Sequence, residues 1–181
     1  YEDTHGEIYF STWFRDVEKT GGMFMQKAVH DIDYLFYLTG CNPVEVCAMR
    51  AKSYYQGDKP YDMTCGECPD KMTCPEGPMA QFKEMGRFEN VCEAIEKNSM
   101  RMNPDGKVGT KKLCVFSKDI AIEDIGECII RGKDGTHMVH TQNFIANGAA
   151  TRRGARFVGN LGSLEIDFNN HELHFYSSID D

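Results

Sequence analysis

Polar side chains interrupt an apolar stretch of the chain, GGMFMQKAVHDIDYLFYLTG at residues 21 to 40. Gln26, His30 and Asp33 follow one another at i, i+4 and i+7, the spacing that lines one narrow face of a helix. A histidine flanked by carboxylates suits proton transfer near neutral pH. The pattern leaves two interpretations open. The polar stripe faces a reaction site, or it faces solvent, with Lys27 and Asp31 as an ordinary exposed ion pair and His30 as a half-buried histidine.

The apolar residues of the same stretch predict the helix that positions these polar side chains. We expect a helix from about residue 23 to residue 39, because apolar side chains recur at steps of four, three and four: Met25, Val29, Ile32 and Phe36. Two glycines precede this stripe as a flexible entry, and Gly40 follows it as a stop signal.

Length and composition limit the class of protein. With 181 residues and 41% hydrophobic content, the chain suits one globular domain over residues 1 to 181. Its formal net charge of -8 argues against nucleic acid or an anionic membrane as a partner. No apolar run reaches the length of a transmembrane helix and no signal peptide opens the chain, so we expect a cytoplasmic protein.

Changes of pattern along the chain predict an α+β fold, a mainly antiparallel open-faced sheet with helices on one face. Residues 5 to 14 and 43 to 55 favour strands, and short turns join the strands from residue 126 onward into one continuous antiparallel sheet. Between these parts, residues 56 to 112 are rich in Gly, Pro, Asp and Cys. We expect them to form a Cys-rich insertion with a helix near residues 78 to 97.

Two glycine-containing segments look like phosphate loops but do not meet the requirements of one. GKVGTKK at residues 106 to 112 lacks the spacing of a Walker loop. GNLG at residues 159 to 162 lies in a predicted hairpin, whereas a dinucleotide turn lies between a strand and a helix. We therefore expect no nucleotide site on this chain.

The cysteines of the insertion favour a structural metal site. Cys65 and Cys68 have the CxxC spacing that lets two thiolates reach one Zn²⁺, and Cys74 follows in the same segment. We expect Cys114 as the fourth ligand, with Cys92 as the second choice, because Cys114 would tie both ends of the insertion together. Thiols that stay free or are reversibly oxidised, and disulfides, remain the alternatives.

The order of these features resembles the C-terminal domain of the glucose-fructose oxidoreductase and inositol dehydrogenase family (Gfo/Idh/MocA). The matching segments are the GG pair at residues 21 to 22, KAVHDID and YLTG in the helix, PVEVCAMRA in the next strand, and RFVGNLGSLEIDF near the end. The family helix carries a histidine with an aspartate three residues later, which His30 and Asp33 match. The family's late hairpin carries a GxxG turn, which residues 159 to 162 match, and some members are similar in having a Cys-rich insertion. The resemblance covers about residues 5 to 176.

This resemblance implies the substrate side of a two-domain oxidoreductase, whose Rossmann domain is absent from this chain and binds NAD or NADP. It implies a sugar, cyclitol or related polyol as the substrate, and a homodimer or homotetramer assembled through the open sheet face. It also implies that His30 acts as acid/base near the substrate hydroxyl while Asp33 orients it. The chain opens at Tyr1 rather than Met, which we interpret as the start of the second domain, so we expect this chain alone to be inactive.

One position departs from the family pattern. Many dehydrogenases of this family have an aspartate four residues before the histidine, where this chain has Gln26. Either Lys27 and His30 manage the proton with a different substrate geometry, or the protein is a divergent member with altered activity. Gln26 also favours a hypothesis of another class, a noncatalytic binding or assembly module with a zinc-stapled insertion.

Overall fold

A computed structural model describes residues 6–77, 100–102, 108–111, 113–146 and 150–179 of the chain. For residues 100–102 and 108–111 it gives the course of the backbone. The helix predicted near residues 78 to 97 and the alternative ligand Cys92 lie outside the described residues.

Helical elements come first along the described chain, and strands follow. The helical elements are α1 (Glu7–Ser11), a 3₁₀ turn (Trp13–Arg15), α2 (Val17–Thr20), a π-helical turn (Phe24–Ala28) and α3 (Val29–Thr39). The strands are β1 (Pro43–Ala51), β2 (Met100–Met102), β3 (Val108–Lys111), β4 (Ile125–Gly132), β5 (His137–Asn143), β6 (Gly154–Gly159), β7 (Gly162–Asp167) and β8 (Glu172–Ser177). Antiparallel pairing joins these strands into the sheets β1-β4-β5, β2-β3 and β6-β7-β8. The predicted α+β class is confirmed.

The chain divides into two compact units. The cysteine-rich unit comprises residues 7–29 and 52–123, and the sheet unit comprises residues 1–6, 30–51 and 124–181. The single domain predicted over the whole chain stays a prediction.

The strand predicted at residues 5 to 14 is wrong, because this segment forms α1 and the 3₁₀ turn. Aromatic and β-branched residues favour a strand, but tertiary packing outweighs that preference. Phe10 is fully buried and its ring stacks on Tyr55 with centroids 4.1 Å apart. The carbonyl of Ser11 accepts a hydrogen bond from the N–H of Leu113 at 2.9 Å, which fixes the end of α1 against a distant segment.

The helix predicted from residue 23 to residue 39 is confirmed, but its first part is π-helical. Hydrogen bonds in a π-helix run from i to i+5 and widen the turn. The i, i+4, i+7 spacing of Gln26, His30 and Asp33 therefore does not define one face across residues 24–28. That shared face stays a prediction.

The hairpin of β4 and β5 supplies the core of the sheet unit through one of its faces. Side chains alternate between buried and exposed along both strands, and those buried are Cys128, Ile130, Met138, His140 and Gln142. Strand β1 pairs with β4 in the register Val46↔Ile130, yet its residues are exposed along its whole length. An exposed edge strand rich in Val and Met leaves apolar surface uncovered.

The strands predicted from residue 126 onward are confirmed, but they do not form one continuous sheet. Among the described residues, β4 and β5 pair with β1, whereas β6, β7 and β8 form a sheet of their own. The physical reason lies just after β5, where Phe144 turns into the core and is fully buried. Its carbonyl accepts a hydrogen bond from the N–H of Gly6 at 2.8 Å, so the chain leaves the ladder at this point.

A buried arginine connects the segments of the cysteine-rich unit. Arg15 is 4% exposed, and its guanidinium donates hydrogen bonds to the carbonyl oxygens of Phe10, Tyr61 and Cys114. It also holds the Asp119 carboxylate, with Oδ2 lying 3.0 Å from Nε and 2.6 Å from Nη2. Such charge-assisted pairs are stronger than neutral hydrogen bonds.

The same contacts keep Asp119 charged. Burial tends to raise the pKa of Asp119, but hydrogen bonds from Arg15 and Ser117 outweigh burial and hold that pKa below its usual value of 3.8. A depressed carboxyl pKa stabilises the folded state above the unfolded pKa, and this stabilisation is lost as the pH falls through the folded pKa. The ion pair therefore contributes fully at neutral pH and weakens below pH 3.8.

We predict that Arg15→Ala lowers the free energy of unfolding by about 3–5 kcal/mol, because it leaves the Asp119 carboxylate without its main partner in a largely buried site. The matched control is Lys19→Ala, which breaks an ion pair with Asp16 on the exposed surface of the same unit. Urea denaturation at neutral pH measures both variants. Equal losses of stability in the two variants would show that Arg15 is not the anchor of this unit.

Candidate functional site

Two glycines and a buried carboxylate set the start of the helix that carries the candidate catalytic residues. Gly21 and Gly22 have φ angles of 74° and 91°, in the left-handed region that favours glycine. Glu123 is 4% exposed, and its Oε1 accepts a hydrogen bond from the N–H of Phe24 at 3.1 Å. A carboxylate at a helix N-terminus satisfies an N–H group that lacks a helical partner and offsets the positive end of the helix dipole.

The sequence analysis missed Glu123. Its partner lies 99 residues away along the chain, and no local spacing connects the two positions. A signal was nevertheless present, since a GG pair before a predicted helix leaves the first N–H groups to be capped by another segment.

Gln26 and Lys27 lie in the π-helical turn of the cysteine-rich unit, and both are partly buried. The N–H of Gln26 donates to the carbonyl of Gly22 at 3.0 Å. The side-chain Oε1 of Gln26 is buried, and it has no hydrogen-bond partner among the described residues. A π-helical turn often marks a functional site because the wider turn redirects side chains.

His30 and Asp33 lie in α3 of the sheet unit, and both are exposed. His30 is thus exposed rather than half-buried, and this exposure fits a stripe that faces solvent as well as one that faces a reaction site. An exposed side chain is accessible to a substrate, as proton transfer between the two requires. Gln26 and Lys27 belong to one unit and His30 and Asp33 to the other, so the grouping of all four residues stays a prediction.

A second polar cluster, which the sequence analysis did not predict, lies behind α3 in the sheet unit. Asp31 is mostly buried and pairs with Arg153 at 3.3 Å. Asp31, Tyr34 and His140 line a cavity of about 210 Å³. Burial lowers the pKa of His140, while the nearby Asp31 acts in the opposite direction. Burial also raises the pKa of the Tyr34 hydroxyl.

The four cysteines predicted as metal ligands lie together in the cysteine-rich unit. Cys65, Cys68, Cys74 and Cys114 line one small cavity. Burial raises the pKa of the Cys74 and Cys114 thiols, and neighbouring cysteines act in the same direction. Among the residues that the structure describes, however, no three His, Cys, Asp or Glu side chains are placed closely enough to hold a metal ion.

The fold and the glycine-led histidine helix are those of a C-terminal oxidoreductase domain. Residues 1–165 match the family model described as GFO/IDH/MocA C-terminal domain, and the chain belongs to this family. The resemblance seen in the sequence is thereby confirmed. Within the described part of the chain, no helix combines the length and apolar character needed to cross a membrane.

Similar proteins are longer than this chain. "Putative oxidoreductase YteT" of Bacillus subtilis (strain 168) is 28% identical over 196 residues, a match that covers 99% of this chain and 42% of that protein. The crystal structure of an oxidoreductase domain protein from Kribbella flavida superposes with a TM-score of 0.56 and 17% identity, covering 94% of this chain and 33% of the other. UDP-N-acetylglucosamine 3-dehydrogenase GnnA from Acidithiobacillus ferrooxidans gives a TM-score of 0.50 and 14% identity, covering 99% and 34%. At these identities the two structures establish a shared fold.

We predict that Gly22→Ala destabilises the protein more than Gly40→Ala does. Both glycines have positive φ angles, so both substitutions strain the backbone, by roughly 1–2 kcal/mol. A Cβ at Gly40 meets nothing within 4 Å, whereas a Cβ at Gly22 would lie 2.9 Å from Oε2 of Glu123. Because Glu123 is buried and bonded to the Phe24 N–H, its displacement would break the helix cap.

Urea denaturation of the two glycine variants and of Glu123→Gln tests this arrangement. Glu123→Gln keeps an acceptor oxygen but removes the charge, so a loss smaller than that of Gly22→Ala is expected. Equal stabilities of Gly22→Ala and Gly40→Ala would show that the carboxylate does not fix the helix start.

Proposed function

We propose that this chain is the substrate-binding and oligomerisation domain of an NAD(P)-dependent oxidoreductase that acts on a sugar, cyclitol or related polyol. The observation that carries this proposal is the match of residues 1–165 to the family model, together with a histidine at the expected place after the GG pair. The dehydrogenase GnnA, which has the same fold, is named for a nucleotide sugar.

In this proposal His30 accepts the proton of the substrate hydroxyl as the carbon is oxidised, and returns it in the reverse direction. Asp33 orients His30 and stabilises its protonated form. Lys27 holds the substrate or assists in the proton transfer, and Gln26 binds a substrate hydroxyl through its amide. The exposure of His30 and Asp33 supports this assignment, since the substrate must reach both side chains.

The GNLG segment does not have the geometry of a dinucleotide-binding turn. Gly159 and Gly162 pair with each other at the turn between β6 and β7, so the GNLG segment is a hairpin and does not open a helix. The nicotinamide cofactor, which supplies the hydride chemistry when bound, is assigned to another part of the protein. The chemistry assigned to this chain is proton handling and substrate positioning.

Gln26 favours a second candidate function, a noncatalytic binding or assembly module. An amide cannot take up the charge that an aspartate would carry at this position, which is half-buried. The two candidates differ in one measurable property. The purified full-length protein either reduces NAD or NADP with a member of a panel of sugars, cyclitols and polyols, or it binds them without turnover.

We predict that His30→Ala in the full-length protein lowers kcat by about 10²-fold or more, because a general acid/base typically contributes 10²–10⁴-fold to the rate. The melting temperature should change little, since an exposed side chain contributes little packing. The matched control is His174→Ala, which removes another exposed histidine from β8.

Absorbance of the reduced nicotinamide measures turnover, and circular dichroism measures thermal unfolding. Full activity of His30→Ala with a collapsed melting temperature would show that His30 is a structural residue. A wild-type protein that binds a panel member without turnover would favour the noncatalytic module.

We also propose that a second copy of the chain covers the open face of the sheet β1-β4-β5. Cys47, Ile129 and Val139 lie opposite one another in the register across the three strands. Ile129 is 54% exposed and Val139 is 64% exposed, so this cross-strand row presents apolar side chains to the surroundings. Apolar faces of this kind mark contact surfaces, and the resemblance to the family implies assembly through the same face.

We predict that Val139→Asp shifts the full-length protein from a dimer or tetramer toward a monomer, because a carboxylate is costly in an apolar interface. Val158→Asp is the matched control, as Val158 is 76% exposed and lies on the separate sheet formed by β6, β7 and β8. Light scattering at several protein concentrations gives the molar mass. A wild-type monomer at high micromolar concentration would refute the interface.

A further inference from the structure

Four cysteines from two segments that are distant in sequence line one small apolar cavity in the cysteine-rich unit. Cys65, Cys68 and Cys74 reach the cavity from the turns of residues 64–77, and Cys114 reaches it from a segment that follows the insertion. The cavity has a volume of about 20 Å³, which leaves room for one small ion.

Backbone hydrogen bonds bring the two segments together. Thr64 and Leu113 form an antiparallel bridge, and the N–H of Cys114 donates to the carbonyl of Met63 at 2.9 Å. Because Thr64 immediately precedes Cys65, this bridge places Cys114 beside the CxxC turn. The backbone thus presents the fourth cysteine to the first pair without any help from a bound ion.

The turns themselves present the other cysteines toward the same place. The N–H of Cys68 donates to the carbonyl of Thr64 at 3.0 Å, which closes the CxxC turn. The N–H of Cys74 donates to the carbonyl of Asp70 at 2.9 Å, and the N–H of Gly77 to the carbonyl of Cys74 at 3.0 Å. Two successive tight turns are the backbone form in which zinc ribbons and knuckles present thiolates.

We propose that one Zn²⁺ binds in this cavity and ties residues 64–77 to residues 113–116. Its ligands are the four thiolates of Cys65, Cys68, Cys74 and Cys114. Zinc takes four sulfur ligands in a tetrahedron at about 2.3 Å. In the structure the cysteines surround the cavity without converging to a metal-binding cluster, so binding draws the thiolates inward from its wall.

A bound ion would add stability to a segment that contains little regular secondary structure. Residues 52–77 form turns and isolated bridges, without a helix or strand. Each of these residues loses conformational entropy on folding, and turns return few hydrogen bonds for that loss. Lys59 and Asp70 supply an ion pair, but it lies near the surface and contributes little. A metal bound by both segments would add to the contacts that Arg15 and the Thr64–Leu113 bridge already make.

The surroundings of the cavity suit a structural ion rather than a catalytic one. Val115 and Phe116 complete its apolar wall, so a bound ion is shielded from water. A zinc ion with four thiolates carries net negative charge, and the buried Glu76, which also lines the cavity, is a further acidic group. Two cations lie close enough to offset this charge. Lys71 lines the cavity, and the buried guanidinium of Arg15 donates to the carbonyl of Cys114 at 3.0 Å.

The geometry favours a metal over disulfides. Cys68, Cys74 and Cys114 are thiols in the structure. All four cysteines border the same cavity, so no single pair is singled out for oxidation. Iron held by the same four thiolates is a different occupant of the same site, and it would colour the protein.

Metal analysis of the full-length protein tests the proposal. The protein is expressed with an affinity tag that does not bind metal ions, in medium that contains both zinc and iron. It is purified without chelators. Plasma mass spectrometry is expected to find about one zinc ion per chain. In Cys68→Ser the zinc content should fall roughly tenfold, because the serine hydroxyl is a poor zinc ligand at neutral pH.

Cys47→Ser is the matched control, since Cys47 is exposed on β1 and lies in the sheet unit. It should retain the zinc content of the wild type. Cobalt titration of the metal-depleted wild type, but not of Cys68→Ser, should give the visible absorption of a tetrahedral thiolate site. Limited proteolysis of Cys68→Ser should show faster cleavage between residues 52 and 77.

If Cys68→Ser fails to fold, Cys74→Ser serves as the test variant instead. In the wild type, chemical modification of the thiols should release zinc in proportion to the number of modified cysteines. Zinc that persists in the cysteine variants would overturn the proposal, as would stoichiometric iron. A metal-free wild type with reactive thiols or with paired disulfides would overturn it too. None of these outcomes depends on turnover, so they leave the proposal for His30 untouched.

Discussion

The buried guanidinium of Arg15 is the contact on which the cysteine-rich unit depends. It joins α1, the loop at Tyr61, the segment at Cys114 and the carboxylate of Asp119, which are far apart in sequence. This unit contains little regular structure, so its shape rests on a few polar contacts of high sequence separation. A charged group is tolerated in such a place because its hydrogen bonds and its counterion are all present together.

That anchor leads directly to the helix that matters for function. Asp16, the next residue, caps α2 by accepting a hydrogen bond from the N–H of Glu18, and α2 ends at the left-handed Gly21. Gly22 then allows the buried Glu123 carboxylate to cap the N–H of Phe24. The position of the helix start is thus fixed by residues other than the proposed catalytic ones.

The sequence predicted the elements whose signals are local. The periodicity of the helix, the strand signal of residues 43 to 55 and the short turns of the hairpins were sufficient for these elements. The spacing of Cys65 and Cys68 led to a set of four cysteines that lie around one cavity. The missed features depend on distant contacts. The segment of α1 has the composition of a strand but is helical because Phe10 packs on Tyr55. Arg15 and Glu123 have no local pattern, since their partners lie about a hundred residues away. The π-helical turn also has no clear sequence signal. Because its turns are wider than those of an α-helix, the i, i+4 spacing no longer places Gln26 and His30 on one face.

Chemical rescue tests most directly the proposal that His30 transfers the substrate proton. In the full-length protein carrying His30→Ala, added imidazole should restore turnover in proportion to its concentration, because a free base can occupy the space left by the side chain. The same imidazole should leave wild-type turnover unchanged. Two results would contradict the assignment of His30 as the acid/base. One is a folded His30→Ala protein that retains wild-type turnover. The other is a His30→Ala protein that still binds substrate to saturation but gains no turnover from added imidazole.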